Sequence, residues 1–188
     1  MLIQLTLIDS CIHGERRAEY ELFKVCYPYL MSICIRYTRN QDKAKEVLNQ
    51  GFYKILSNLN KYDRESPIKP WIRKIMINTL INEFKKEKLH YKTMHYVENY
   101  YEDESYSELN ESLARSNAEE IYAYIGRLAP ASRQVFNLYF IDGYKHREIA
   151  EMLSITEGTS KWHLNAAKEK LKELLTQNEL MLKENNNE

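Results

Sequence analysis

The 188-residue chain has few of the residues that interrupt helices, with only 5 glycines and 4 prolines. Because these two residues dominate turns, their scarcity predicts few connections and much helix. The formal net charge is zero, so no field of the whole molecule would attract a nucleic acid. Any DNA-binding surface must therefore be a local basic patch that an acidic stretch balances elsewhere.

Cysteine is scarce as well, and Cys11, Cys26 and Cys34 form no C-x-x-C pair. Cys26 and Cys34 lie among apolar residues at helical spacing, which predicts buried thiols. His90 and His95 lack a convincing second pair at zinc spacing. We therefore expect no metal and no cofactor.

Several functional classes lack their sequence signals. No Gly-rich phosphate loop, Ser-His-Asp order or carboxylate dyad stands out, so we expect no enzymatic activity and no small-molecule substrate. No apolar run approaches the roughly 20 residues that span a bilayer. The start "MLIQLTLI" lacks the basic region of a signal peptide. We expect a soluble, cytoplasmic protein with no membrane partner.

Helical periodicity is what the sequence does contain. Apolar residues recur every three or four positions over 19–37, 42–59 and 71–90, and Pro28 predicts a kink or a restart in the first of these helices. Three or four further helices follow an acidic stretch. We predict an all-α fold with two small helical domains, at 1–92 and 115–178, an acidic linker at 93–114 and a polar tail at 179–188.

The segment "YKHREIAEMLSITEGTSKWHLNAAKEKL" (144–171) has the pattern of a helix-turn-helix. The first helix is expected at 144–153, and the second begins near Glu157, with Thr156 as its cap. Ser154 occupies the turn position where glycine usually relieves a left-handed backbone. The first turns of the second helix would enter the major groove of DNA. The candidate DNA-binding residues are Thr159, Ser160, Lys161, Trp162, His163, Asn165 and Lys168.

Three segments carry a resemblance to a known family. "AKEVLNQGFYKILSNLNKYD" (44–63) and "PIKPWIRKIMINTLINEFKKEKL" (67–89) resemble regions 2.2 to 2.4 of extracytoplasmic-function (ECF) sigma factors of the sigma-70 family. They include the pattern W-x-R-x-I-x-x-N-x-x-I from Trp71 to Ile81. The segment "LAPASRQVFNLYFIDGYKHREIAEMLSITEGTSKWHLNAAKEKL" looks like region 4 of that family.

The resemblance implies a protein that directs RNA polymerase core to promoters and helps to open them. The second helix of the helix-turn-helix would bind the −35 element, and the first half would bind the −10 element. Asn78 matches the family position that contacts a flipped base. Eight Lys and Arg stand against three Glu from 64 to 92, a basic excess that would hold the DNA strand. The implied −10 residues are Asn58, Arg64, Trp71, Arg73, Lys74, Asn78, Lys85 and Lys86.

Protein partners are implied as well, namely the clamp helices of the polymerase β′ subunit and the β flap. An anti-sigma factor is a further partner that the resemblance allows. The implied polymerase contacts are Glu46, Leu48, Asn49, Gln50 and Phe52. Two other functions stay open: a stand-alone helix-turn-helix regulator that binds duplex DNA without polymerase, and a helical adaptor that binds only proteins.

Overall fold

The computed structural model describes residues 3–90 and 118–185, with side chains at 3–87 and 121–177. Every regular element in these ranges is helical, which confirms the predicted all-α fold. The chain forms two compact units, at residues 1–92 and 93–188. The predicted acidic linker at 93–114 lies outside the described residues. No helix within those residues is both long and apolar enough to cross a bilayer.

In the N-terminal unit, three long helices pack against one another, and a short first helix packs against the second. The second helix continues through Pro28 without the predicted restart. Leucine, isoleucine and methionine side chains at three- and four-residue spacing fill the interior, among them Leu22, Leu30 and Ile55. The described elements are α1 (Leu5–Ile12), α2 (Arg16–Thr38), α3 (Gln41–Asn58), a 3-10 turn (Leu59–Lys61) and α4 (Ile68–His90).

Helices α3 and α4 are joined by a close approach and by charge. A Cβ added at Gly51 would lie 2.5 Å from the Cε atom of Met76, so the absence of a side chain allows the contact. In the first turn of α3, the ammonium of Lys43 lies 2.7 Å from Glu83 and 3.3 Å from Glu87, both on α4. The hydrogen bond to Glu83 raises the pKa of Lys43, and the same bond lowers the pKa of Glu83.

The three cysteines are free and buried, which confirms the prediction for Cys26 and Cys34. Burial raises the pKa of the Cys11 and Cys26 thiols to about 11 and that of Cys34 to about 12. The Sγ atom of Cys34 lies 3.5 Å from the Sδ atom of Met76. These thiols therefore act as small apolar residues of the core.

In the C-terminal unit, one long helix packs against three shorter ones. Its buried side chains recur at helical spacing and include Leu164, Leu171 and Leu174. This helix runs to Asn185, through most of the segment that was predicted as a polar tail. The described elements are α5 (Ala118–Gly126), α6 (Pro130–Phe136), a π-helical turn (Asn137–Ile141), α7 (His146–Leu153) and α8 (Glu157–Asn185).

The helix-turn-helix formed by α7 and α8 has the predicted turn. The N–H of Thr159 donates to the Oγ1 atom of Thr156 at 3.0 Å, which confirms the predicted cap. Ser154 adopts φ 55° and ψ 52°, so a non-glycine residue does occupy the left-handed position. Helix α7 begins at His146, two residues later than expected, because the N–H of Lys145 is bound by the Glu148 carboxylate at 2.8 Å.

Candidate nucleic-acid interface

A polar cleft of about 350 Å³ lies between α3 and α4. It contains three of the predicted −10 residues, Asn58, Trp71 and Asn78. Asn58 ends α3, whereas Trp71 and Asn78 lie seven residues apart on one face of α4. The structure therefore brings together residues that the sequence separates by up to 20 positions.

Two lysines contribute the positive charge of this cleft, and neither was predicted as a site residue. Lys61 donates to the Oδ1 atom of Asn58 at 3.1 Å, and Asn58 donates to the carbonyl of Lys54 at 2.8 Å. The ammonium of Lys54 also lies 3.4 Å from the Oγ1 atom of Thr79. No carboxylate is among the described residues that line the cleft, so it favours groups that accept hydrogen bonds or carry negative charge.

Helical spacing could have identified these missed residues. Lys54 precedes Asn58 by four positions, and Lys61 follows it by three. Asn82, which also lines the cleft, follows Asn78 by four. Residues three and four apart share one face of a helix, so a search around the two predicted asparagines would have found all three.

The other predicted −10 residues do not line the cleft. Arg64 is exposed and forms an ion pair with Asp9 of α1. Lys86 lies 3.5 Å from Glu83. The residues at 85 and 86 follow Asn78 by about two helical turns, roughly 10 Å along the axis. Arg73 and Lys85 are half-buried and Lys74 is exposed, all three on α4.

On α8, the predicted DNA-binding residues divide between the surface and the interior. Lys161 is exposed, and Thr159, Trp162 and Asn165 are half-buried. By contrast Ser160, His163 and Lys168 are 0%, 7% and 8% exposed. The prediction that these three residues belong to the DNA-facing surface is therefore wrong.

The buried polar residues of α8 have partners within the C-terminal unit. The Oγ atom of Ser160 lies 2.9 Å from Nδ1 of His146, and Nδ1 of His163 lies 3.1 Å from the hydroxyl of Ser132. The Nζ atom of Lys168 lies 5.9 Å from the ring centre of Phe140. These contacts attach α8 to the preceding helices, so the three side chains hold the helix in place.

The pKa of His146 depends on the charged residues of α8. Its ring stacks on Tyr139 with centroids 4.7 Å apart. Burial lowers the pKa of His146, and the positive charges of Lys161 and Lys168 lower it further. Glu157 opposes this shift, but the net lowering of the pKa favours the neutral imidazole, which suits its hydrogen bond to Ser160.

The outer face of α3 holds the predicted polymerase contacts that are polar. Asn49 and Glu46 are exposed, and Gln50 donates to Glu46 at 3.2 Å. The prediction fails for Leu48 and Phe52, which are 0% and 7% exposed. Both belong to the apolar stripe of α3, and the Phe52 ring packs edge-on against Phe23 with centroids 5.0 Å apart.

Tyr53 was missed on this outer face, although it is 72% exposed. It follows Asn49 by four residues and therefore lies on the same face of α3. Its spacing of four residues from Asn49 and seven from Glu46 was the available signal, since residues at these spacings share one face of a helix. Within the described residues, no cluster of three His, Cys, Asp or Glu side chains could hold a metal ion.

Each of the two units matches a model of a known protein family. The family model "Sigma-70 region 2" matches residues 22–90, and "Sigma-70, region 4" matches residues 118–171. Together the two matches cover more than half of the chain. The cleft lies within the first match, and the helix-turn-helix lies within the second.

Two curated relatives agree with the family models. The chain is 23% identical over 154 residues to the ECF RNA polymerase sigma factor SigM of Bacillus subtilis (strain 168), covering 79% of this chain and 86% of SigM. It is 26% identical over 182 residues to the RNA polymerase sigma factor SigV of the same organism, covering 93% and 94%. A solved structure of the sigma factor RpoE in complex with the anti-sigma factor NepR from Bartonella quintana covers 84% of this chain and 96% of that chain, at 18% identity and a TM-score of 0.49.

The helical units and the two matched regions define a sigma-70-type transcription factor. More narrowly, the chain belongs to the extracytoplasmic-function group of the sigma-70 family.

Proposed function

We propose that this protein binds RNA polymerase core, recognises the −10 and −35 elements of promoters, and promotes local melting of the DNA. The observation that carries the proposal is the cleft between α3 and α4, where Asn58, Trp71 and Asn78 meet. Family membership suggests promoter recognition and melting as the function. The cleft offers a site in this chain where an unstacked base could bind.

The cleft is suited to hold an unstacked base. Extruding a base costs a few kcal/mol, which contacts in a pocket must offset. The Asn78 amide is exposed and offers both a donor and an acceptor to a base edge. The half-buried ring of Trp71 offers a surface for stacking, which contributes about 1–3 kcal/mol per base. Lys54 and Lys61 add positive charge near the strand.

The helix-turn-helix is suited to duplex DNA at the −35 element. In this motif, the first turns of the second helix contact base edges in the major groove. Lys161 offers an exposed ammonium, Asn165 follows it by four residues on the same face of α8, and Thr159 lies in the first turn of that helix. A lysine in this position can bind guanine acceptors or a phosphate. We exclude Ser160, His163 and Lys168 from this contact set because they are buried.

The exposed face of α3 is the surface that we assign to the clamp helices of the polymerase β′ subunit. It includes Glu46, Asn49, Gln50 and the exposed Tyr53, and exposed aromatic residues are enriched among binding hot spots. The C-terminal unit would contact the β flap. An anti-sigma factor would act by covering these same surfaces. This function would place the protein in the cytoplasm with the polymerase.

Run-off transcription tests the proposal. Purified polymerase core, free of its own specificity subunit, is incubated with this protein and a library of genomic promoter fragments. We expect RNA from a defined set of start sites that core alone does not use. Tight binding of promoter duplex by the protein alone, without transcription, would support a stand-alone regulator. Neither transcription nor DNA binding would support an adaptor that binds only proteins.

A further inference from the structure

Resting on the proposed function, we propose that Asp9 is a positioning residue for −10 recognition, and that it acts through Arg64 on the loop beside the cleft. Asp9 lies in α1, outside the residues 22–90 that the region 2 model matches, whereas Arg64 lies inside them. Helix α1 would thus tune a DNA-binding site to which it contributes no lining residue among those described.

The loop from Tyr62 to Ser66 has a defined internal shape. The buried Tyr62 ring packs on Trp71 with centroids 5.4 Å apart, and its hydroxyl donates to the carbonyl of Ser66. The Asp63 carboxylate accepts from the N–H of Glu65 at 3.0 Å and from the Ser66 hydroxyl at 2.7 Å. Movement of this loop would therefore be transmitted to Trp71 in the cleft.

The ion pair between Arg64 and Asp9 fixes the loop from outside. The Nη2 atom of Arg64 donates to the Oδ1 atom of Asp9, which is 55 residues away in the sequence. Helix α1 also packs against the 3-10 turn that contains Lys61. Lys61 lines the cleft and donates to Asn58. Helix α1 is thus attached to the loop at Arg64 and to the 3-10 turn that contributes Lys61 to the cleft.

Because the ion pair between Arg64 and Asp9 is exposed, we expect it to position the loop and to contribute little to stability. The side chains of Arg64 and Asp9 are 52% and 40% exposed, and exposed ion pairs contribute little to the free energy of unfolding. An error of about 1 Å in a binding site, however, can cost much of its function. Since its guanidinium is paired with Asp9, we assign Arg64 to the tether in place of the predicted contact with DNA.

The test uses polymerase core loaded with the full chain and promoters that carry each of the four bases at every −10 position. We expect Asp9→Asn to slow open-complex formation about two- to fivefold, the range that the loss of an exposed ion pair allows. The preference among the four bases should flatten as well. Core binding and closed-complex affinity should not change, and Asp9→Glu should restore the wild-type behaviour.

Two further variants sharpen this test. The reversed pair, Asp9→Arg with Arg64→Asp, should recover much of the rate that either single change loses. Glu21→Gln is the matched control, since it removes an exposed carboxylate that pairs with Lys24 at 2.8 Å on the same unit. We expect this control to leave melting and base preference unchanged.

Other outcomes would overturn the proposal. Faster opening with Asp9→Asn would mean that Asp9 competes with DNA for Arg64. An unchanged rate with Asp9→Asn but slower opening with Arg64→Gln would mean that Arg64 binds DNA directly. Equal loss of core binding and melting would indicate a structural role only.

A readout without polymerase separates this inference from the proposed function. In the free protein, Asp9→Asn should speed hydrogen exchange at the amides of Glu65 and Ser66, both of which bond to Asp63. Unchanged exchange would refute the tether even if transcription works. Faster exchange in a protein that never supports transcription would leave the tether intact and refute the proposed function.

Discussion

The cleft between α3 and α4 and the first turns of α8 hold similar polar residues, but they place them differently. In the cleft, Asn58 and Asn78 face a common space together with two lysines. On α8, Lys161 is exposed, while Ser160 and His163 turn inward to partners on α7 and α6. A polar side chain near a DNA-binding surface can therefore serve either the DNA or the fold, and burial decides which.

The largest effect is expected for Asn78→Ala, a substitution in the cleft between α3 and α4. A well-placed amide contact with a base contributes about 1–3 kcal/mol, so we expect open-complex formation to slow about 10- to 100-fold. Closed-complex affinity should change little, because the base is still paired at that stage. Permanganate reactivity of unpaired thymines over time measures the rate. Asn60→Ala, at an exposed site outside the cleft lining, is the control, and an equal loss there would contradict the assignment.

Lys161→Ala, on α8, should weaken closed-complex binding, whereas Asn78→Ala should slow strand opening. We expect about a tenfold loss of closed-complex affinity, with core binding unchanged, because one exposed cation in the groove is removed. If Lys161 contacts a phosphate, the salt dependence should fall by about one unit of slope. Lys170→Ala serves as the control, since that lysine pairs with Glu173 at 2.7 Å. The same loss in both variants would refute a specific role for Lys161.

Ser160→Ala should show whether the Ser160 side chain stabilises the fold or contacts DNA. The substitution leaves the part-buried His146 ring without its partner, so we expect the free energy of unfolding to fall by about 1–2 kcal/mol. The −35 affinity of the folded protein should not change. Urea unfolding and closed-complex binding below the transition measure the two effects. Weaker DNA binding with unchanged stability would return Ser160 to the DNA-facing set.

Ser154→Gly should stabilise the C-terminal unit by about 1 kcal/mol, because glycine adopts the left-handed conformation without the steric cost of a Cβ. Ser154→Ala provides the matched comparison and should show no such gain, since alanine has the same Cβ. Thermal unfolding of both variants tests this. A gain with alanine would mean that the serine side chain, and not the backbone, is the source of strain.

The smallest expected effect concerns pH. The pKa of His146 is lowered in the folded state, so the unfolded chain binds the proton more readily. This contribution to stability is complete above the ordinary histidine pKa of about 6.5 and is lost as pH falls through the lowered value. We expect the unfolding midpoint to drop between pH 7.5 and 5.5, and to drop less in His146→Gln. Identical pH profiles would show that His146 is not the group responsible.

Much of the fold follows from local signals in the sequence. The bounds of α3, the cap at Thr156 and the left-handed turn at Ser154 depend on residues within a few positions of each other. The cleft is different, because it forms where α3 and α4 cross. The resemblance supplied Asn58 and Asn78, and helical spacing could have added Lys54 and Lys61, but only the packed helices show that all four line one cleft.

The errors on α8 and α3 have one physical cause. Ser160 precedes the buried Leu164 by four residues, so helical periodicity already placed it on the inner face. Leu48 and Phe52 likewise belong to the apolar stripe of α3. Residue chemistry suggested the binding role of Ser160, and the resemblance implied those of Leu48 and Phe52, whereas the position of all three in the periodic pattern predicted burial. The ion pair of Asp9 with Arg64 had no local signal, because 55 residues separate its partners.

The most direct measurement compares Asn78→Ala and Lys161→Ala on one promoter with the same polymerase core. Closed-complex affinity and the rate of strand opening are determined for both variants. We expect Asn78→Ala to lose opening while keeping affinity, and Lys161→Ala to lose affinity while keeping the opening rate of the bound complex. Parallel loss of both quantities in both variants would contradict the division of melting and duplex binding between the two units.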